Sequence, residues 1–134
     1  MQKPPHLYEV LYVSTLAPDA DIRVVGDIAR QSRPANSALK ITGLLIFDGS
    51  RFCQQIEGAQ KEVLALLDRI RQDSRHINVN VVHHGPLAER RFQRFSMGYT
   101  TLDDEDVLER LNKLQGQTAI VTFQSLISSL TMDF

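Results

Sequence analysis

An α+β fold, with two helices on one face of a mainly antiparallel sheet, is what this 134-residue chain predicts. Three observations predict it. Short segments alternate side chains with the period of a strand. Two longer segments between them carry apolar residues at helical spacing. These patterns follow one another as β-α-β-β-α-β, with one further strand pattern, and that order with helices of matched length is the ferredoxin-like arrangement.

Leu7 to Ser14 alternates as the first strand, with Tyr8, Val10, Tyr12 and Ser14 on one face and Leu7, Glu9, Leu11 and Val13 on the other. Leu16-Ala17-Pro18-Asp19 breaks it and begins a helix on which Ile22, Val25, Ile28 and Ala29 recur, with Pro34 as the expected stop. Ile41 to Phe47 is nearly all apolar, Asp48-Gly49 signals a hairpin, and Arg51 to Glu57 is the return strand, ended by Gly58. Gln60 to Asp73 is the clearest helix, with Val63, Leu66, Leu67 and Ile70 on one stripe. Asn78 to His83 is β-rich until Gly85-Pro86, and Arg90-Arg91 falls on a polar connector. Phe95 to Thr100 reads as the last strand, with Phe95, Met97 and Tyr99 on one side. Two amphipathic helices follow, Asp103 to Leu114 and Thr118 to Leu130, with Gly116 as the stop between them and Thr118 as an N-cap. They are expected to cover the sheet's free face or to form an oligomer interface.

Composition narrows the function. Hydrophobic content of 43% and charged content of 23% suit one soluble domain. Fifteen basic and sixteen acidic residues give no field that favours nucleic acid or an anionic membrane. No apolar run is long enough for a signal peptide or a bilayer span, and a single cysteine fits a reducing cytoplasm. His83 and His84 would point to opposite faces of a strand, and His76 has no matched ligand spacing, so no metal site is expected. Asp103-Asp104 and Glu105-Asp106 read as solvated helix-start charges, and Cys53 as a packed small hydrophobe.

In the return strand Phe52, Gln54 and Ile56 share the face that the two apolar side chains mark as buried, with Cys53, Gln55 and Glu57 opposite. An amide on that face is either a core glutamine satisfied by its neighbours or one that faces a polar ligand. Tyr12 and Met97 are aimed at the same helix-covered side. Together they would offer a phenol, an amide and a soft thioether under two aliphatic helices, as a planar heteroaromatic ligand requires.

Five motifs in order carry a family resemblance from Leu7 to about Tyr99. They are YxS at Tyr12 to Ser14, Asn36 followed by ITGLL from Ile41, FxQxIEG at Phe52 to Gly58, DxRH at Asp73 to His76, and RRFxxFSM at Arg90 to Met97. The chain resembles the BLUF domain, the flavin-binding blue-light sensor family. The resemblance implies residues 1–100 as a flavin-binding domain and 101–134 as a C-terminal helical cap or output segment. It implies non-covalent FAD, with FMN as an alternative. Tyr12 would donate an electron and a proton to the excited flavin, and Gln54 would rearrange its hydrogen bonds between Tyr12 and the flavin N5/O4 edge. Asn36 would bind the ring's polar edge, Ile28 and Ile70 would clamp the ring, and Met97 would report to the sheet. Arg75 and His76 would lie near the ribityl-phosphate end, where a solvated helix end is the competing reading. Phe95 stands where many members carry tryptophan, so a switch that needs the indole N–H is not expected. The expected protein is a short stand-alone receptor, with no catalytic output domain in the 35 residues after Tyr99. It would act on an unidentified effector protein and form a homo-oligomer. A flavin-dependent enzyme and a ligand-free dimerisation module on the same fold are the alternatives.

Overall fold

The computed structural model describes residues 7–92 and 97–129. Along them run β1 (Leu7–Leu16), α1 (Val24–Ala38), β2 (Thr42–Phe47), β3 (Arg51–Ala59), α2 (Gln60–Gln72), β4 (His76–Leu87), β5 (Gly98–Thr101), α3 (Glu105–Leu111) and α4 (Gln117–Ser128). The sheet order is β4-β1-β3-β2-β5, antiparallel except for the β2–β5 pair. This is the ferredoxin-like arrangement with one added strand. Phe95 and Leu130, which the sequence places on the last strand and the last helix, lie outside the described residues.

The β2–β3 hairpin closes as its turn residues require. Asp48 Oδ1 accepts from the Ser50 and Arg51 N–H groups at 2.9 and 2.6 Å, and Gly49 adopts φ 102°. Gly43 allows the two strands their close approach, since a Cβ there would lie 2.0 Å from the Gln55 carbonyl oxygen.

Several boundaries differ from the sequence reading. Helix α1 starts at Val24, leaving Ile22 outside it and 59% exposed. It also runs through Pro34 to Ala38. A proline forgoes one helical hydrogen bond, and burial of Val25, Ala29 and Asn36 against the sheet outweighs that loss. Strand β4 likewise continues through Gly85-Pro86 to Leu87, because it is an edge strand, where a missing N–H is tolerated. Gly116 occupies the α4 N-cap at φ 65° and donates its N–H to the Val82 carbonyl at 2.7 Å, so Thr118 sits inside the helix. Helix α3 is shorter than expected and is capped by Asp104, whose side chain accepts from the Asp106 N–H at 2.9 Å.

The sheet is buried on both faces. Under α1 and α2 lie Val10, Tyr12, Leu45, Phe52, Ile56 and Met97. On the other side α3 and α4 bring Leu108, Leu111, Ile120 and Phe123 against Leu11, Val13, Leu44, Ile46 and Cys53. The C-terminal helices thus cover the sheet's second face within the same chain. Strand β3, expected to bury only the Phe52 face, is enclosed on both sides, and Gln55 and Glu57 are fully buried.

Candidate functional site

Helices α1 and α2 stand apart over the sheet and leave a cleft of about 310 Å³. Its wall on α1 is one helical face, formed by Ile28, Gln31, Ser32, Ala35 and Asn36, with Leu39 at the helix C-cap. The α2 wall is Leu66, Arg69 and Ile70, again at helical spacing, with Asp73 at the helix C-cap. Tyr12, Leu45, Phe52 and Gln54 form the floor, and Arg75 and His76 close one end. Ile28 and Ile70 therefore face the cleft from opposite helices, and Asn36 is buried at the end of α1.

The register explains the floor. Tyr12 pairs with Gln54 across β1–β3, and Gln54 pairs with Leu45 across β3–β2, so the three share one row on one face. The Tyr12 hydroxyl donates to Gln54 Oε1. The Gln54 amide nitrogen then donates to Met97 Sδ at 3.4 Å. Met97 is not itself a wall of the cleft; it reaches the site through Gln54. Burial pushes the Tyr12 phenol far above its ordinary range, with minor contributions from Cys53 and Asp73, so Tyr12 holds its proton in the resting protein.

His76 is pinned rather than solvated. Its Nε2 faces the Ile70 carbonyl at 2.7 Å, so that nitrogen carries the hydrogen, and Nδ1 accepts from Ser14 Oγ at 2.9 Å. The imidazole thereby ties the end of α2 to β1 and sets Ile70. Arg75 is at the rim with its guanidinium engaged by Asp73 at 2.6 Å and by Gln31 at 3.0 Å. The hydrogen bonds from Arg75 hold the Asp73 carboxyl below its usual range, against partial burial. Arg69 and Ser14 are site residues that the sequence reading did not single out. The spacing Leu66, Arg69, Ile70, Asp73 was the signal for the first, and the YxS motif held the second.

On the opposite face Gln55 Nε2 donates to Glu57 Oε1 at 2.9 Å and to Glu9 Oε1 at 3.2 Å. Arg91 clasps Glu9 with Nε at 2.7 Å and Nη2 at 2.9 Å, and His83 Nε2 lies 3.1 Å from Glu9 Oε2. Glu57 also accepts the backbone N–H groups of Arg91 and Phe92 at 2.9 and 3.0 Å. Burial alone would raise Glu9, but Arg91, Gln55 and His83 override it and hold its carboxyl below the usual range. Arg91 is thus an anchor of the β4–β5 connector, not a solvated charge.

Cys53 is fully buried on this second face, with its thiol pushed up by burial. Among the described residues no group of three or more His, Cys, Asp or Glu could hold a metal ion, and no helix is long and apolar enough to cross a membrane.

The cleft thus lies between two helices over a floor that carries Tyr12 and Gln54, with Met97 bonded behind Gln54. Residues 7–98 match the family model described as "BLUF: Sensors of blue-light using FAD". The chain belongs to the BLUF family. It is 43% identical over 63 residues to the photoactivated adenylate cyclase subunit beta of Euglena gracilis, matching 47% of this chain and 7% of that protein. It is 28% identical over 106 residues to the blue light- and temperature-regulated antirepressor BluF of Escherichia coli (strain K12), matching 77% of this chain and 26% of that protein. The chain therefore spans only a small part of the curated relatives it matches. The dark-state structure of BlrB, a BLUF protein, superposes with a TM-score of 0.78 at 27% identity, covering 94% of this chain and 98% of that one.

Proposed function

We propose that this chain is a blue-light receptor, not an enzyme, that holds FAD in the α1–α2 cleft and signals by protein–protein contact. The observation that carries the reading is the continuous chain from Tyr12 through Gln54, both on the cleft floor, to Met97 behind it. The donor set fits the group. Ile28 and Ile70 supply aliphatic walls on opposite sides, Asn36 and Gln54 supply amides, and Arg69 and Arg75 stand at the polar rim. Bound FAD would supply the absorption of blue light and an acceptor for an electron and a proton.

The protein's part is to hold and redirect hydrogen bonds. Tyr12 keeps a proton on its phenolic oxygen, aimed at Gln54, in a site dry enough that the proton does not leave to water. Gln54 uses both ends of its amide, one toward β1 and one toward Met97. A half-turn of that amide replaces the acceptor facing Tyr12 with a donor and takes the donor away from Met97, and so carries a change at the cleft to the entrance of β5. Residues 1–100 would form the receiving domain and 101–134 the cap through which an effector protein or a second copy senses the change. The lone buried cysteine suits a reducing cytoplasm.

The test is a light-minus-dark absorption difference spectrum on the FAD-loaded protein. Wild type is expected to show a reversible red shift. Tyr12→Phe and Gln54→Leu are expected to keep the flavin bound and lose the shift. A normal photocycle in Tyr12→Phe would remove Tyr12 from this role and make Tyr8 the next candidate.

A further inference from the structure

Met97 is held from two directions. Its sulfur accepts from Gln54 Nε2 at 3.4 Å, while its backbone carbonyl accepts from Arg33 Nε at 3.1 Å. One bond comes from the centre of the sheet and the other from helix α1. Met97 is buried and immediately precedes β5, a strand of four residues at the sheet edge whose only described partner is the parallel strand β2. Parallel pairing is slightly weaker per residue than antiparallel, so this short ladder, which begins at Gly98, does little to fix the Met97 main chain.

Arg33 is also unusual in what it does with its charge. Its side chain is half-buried, and among the described residues its guanidinium enters no ion pair. Arg23, Arg30 and Arg75 each clasp a carboxylate close by in sequence. Arg33 instead spends a partly desolvated donor on one main-chain carbonyl far away in sequence. It neighbours Ser32 on α1, the helix that presents Ile28, Ser32 and Asn36 to the cleft. Arg33 itself is not among the cleft residues.

We infer that Arg33 is a positioning residue for the photoreaction, holding Met97 at hydrogen-bonding distance from Gln54 through the Met97 carbonyl. The inference rests on reading the cleft as the photoreceptor site and goes beyond it by assigning a role outside the cleft. It makes α1 a common carrier. The helix that forms one wall of the cleft also fixes the last member of the Tyr12–Gln54–Met97 chain, so a displacement of α1 moves both.

The experiment compares Arg33→Gln and Arg33→Lys in the full chain, with methionine labelled by ¹³C at the methyl group and Met97 assigned by Met97→Leu. The dark-state Met97 methyl resonance needs no light reaction. Arg33→Gln is expected to shift it away from the wild-type position, as Gln54→Leu does. Arg33→Lys, which keeps a cationic donor, is expected to stay near wild type. FAD uptake is expected to be unchanged, and recovery of the dark spectrum is expected to change roughly tenfold in Arg33→Gln, as the loss of one charge-assisted hydrogen bond implies. A Met97 resonance indifferent to Arg33→Gln overturns the inference. A resonance shifted by Arg33→Gln, together with a wild-type protein that shows no red shift, supports the hold of Arg33 on Met97 and overturns the photoreceptor reading instead. Should Arg33→Gln not fold, isotope-edited infrared spectra of the wild-type Met97 carbonyl decide. A band lowered by a cationic donor supports the inference, and a band at the position of an unbonded carbonyl overturns it.

Discussion

Gln54 and Gln55 are neighbours on one strand, are both buried, and live in opposite electrostatic worlds. Gln54 lies between a hydroxyl and a thioether, both neutral. A phenol can donate or accept, so turning the amide over keeps a partner at Tyr12 and gives up only the weak bond to the thioether. Gln55 puts its nitrogen between two carboxylates and leaves Oε1 without a hydrogen-bond partner among the described protein atoms. Turning that amide would set a carbonyl oxygen against two anions in a low-dielectric interior, where repulsion is strongly felt. The same side chain is therefore free to rearrange on one face of the sheet and fixed on the other. The sheet separates a face that can change from a face that holds.

The strongest way to break that comparison is to remove the charge that holds the second face. Arg91→Met leaves the buried Glu9 carboxylate without its guanidinium, and the expected loss is about 3–5 kcal/mol in denaturant unfolding. Its dependence on acid pH is also expected to weaken. In wild type Glu9 titrates below its ordinary 4.5, so its contribution is present above that value and lost as pH falls through the lowered one. With Arg91 gone, only the hydrogen bonds from Gln55 and His83 still oppose burial, so the lowering of Glu9 shrinks. The stability lost on acidification through that group then becomes smaller. An acid slope identical in the two proteins would mean that Arg91 is not the counter-charge.

Gln55→Leu comes next. It removes a donor from two anions and is expected to cost roughly 1.5–3 kcal/mol while sparing the red shift. Gln54→Leu removes neutral hydrogen bonds, and its expected cost is smaller, about 0.5–1.5 kcal/mol, with the red shift lost. Stability and photochemistry should thus separate across one peptide bond. If Gln55→Leu lost the shift and Gln54→Leu kept it, the strand would serve the cleft with the other face.

Much of this was legible in the sequence because strand parity is a strict rule. The alternation around Tyr12, Phe52-Gln54-Ile56 and Met97 places those side chains on one face before any contact is known. The stripe Val63, Leu66, Leu67, Ile70 marks α2 for the same reason. What was hidden depends on tertiary context. Gln55 and Glu57 look solvent-facing, and only the covering helices α3 and α4 and the distant Arg91 make their burial tolerable. Pro34 and Pro86 read as breaks because the local rule ignores packing and edge position. Arg33 gives no local signal at all, since its partner lies 64 residues away.

Cys53 gives this architecture a clock. Its sulfur has no access to solvent and its thiol resists ionisation, so a thiol reagent in solution must wait for the molecule to open. The atoms over it belong to the cluster that α3 and α4 complete. Where the reagent reacts faster than the opening recloses, its uptake counts departures of the C-terminal helices one molecule at a time. Where it reacts more slowly, uptake reports the fraction of time they are away. Run in darkness and again under blue light, the same single sulfur would measure how far a rearrangement at Gln54 loosens the far side of the sheet.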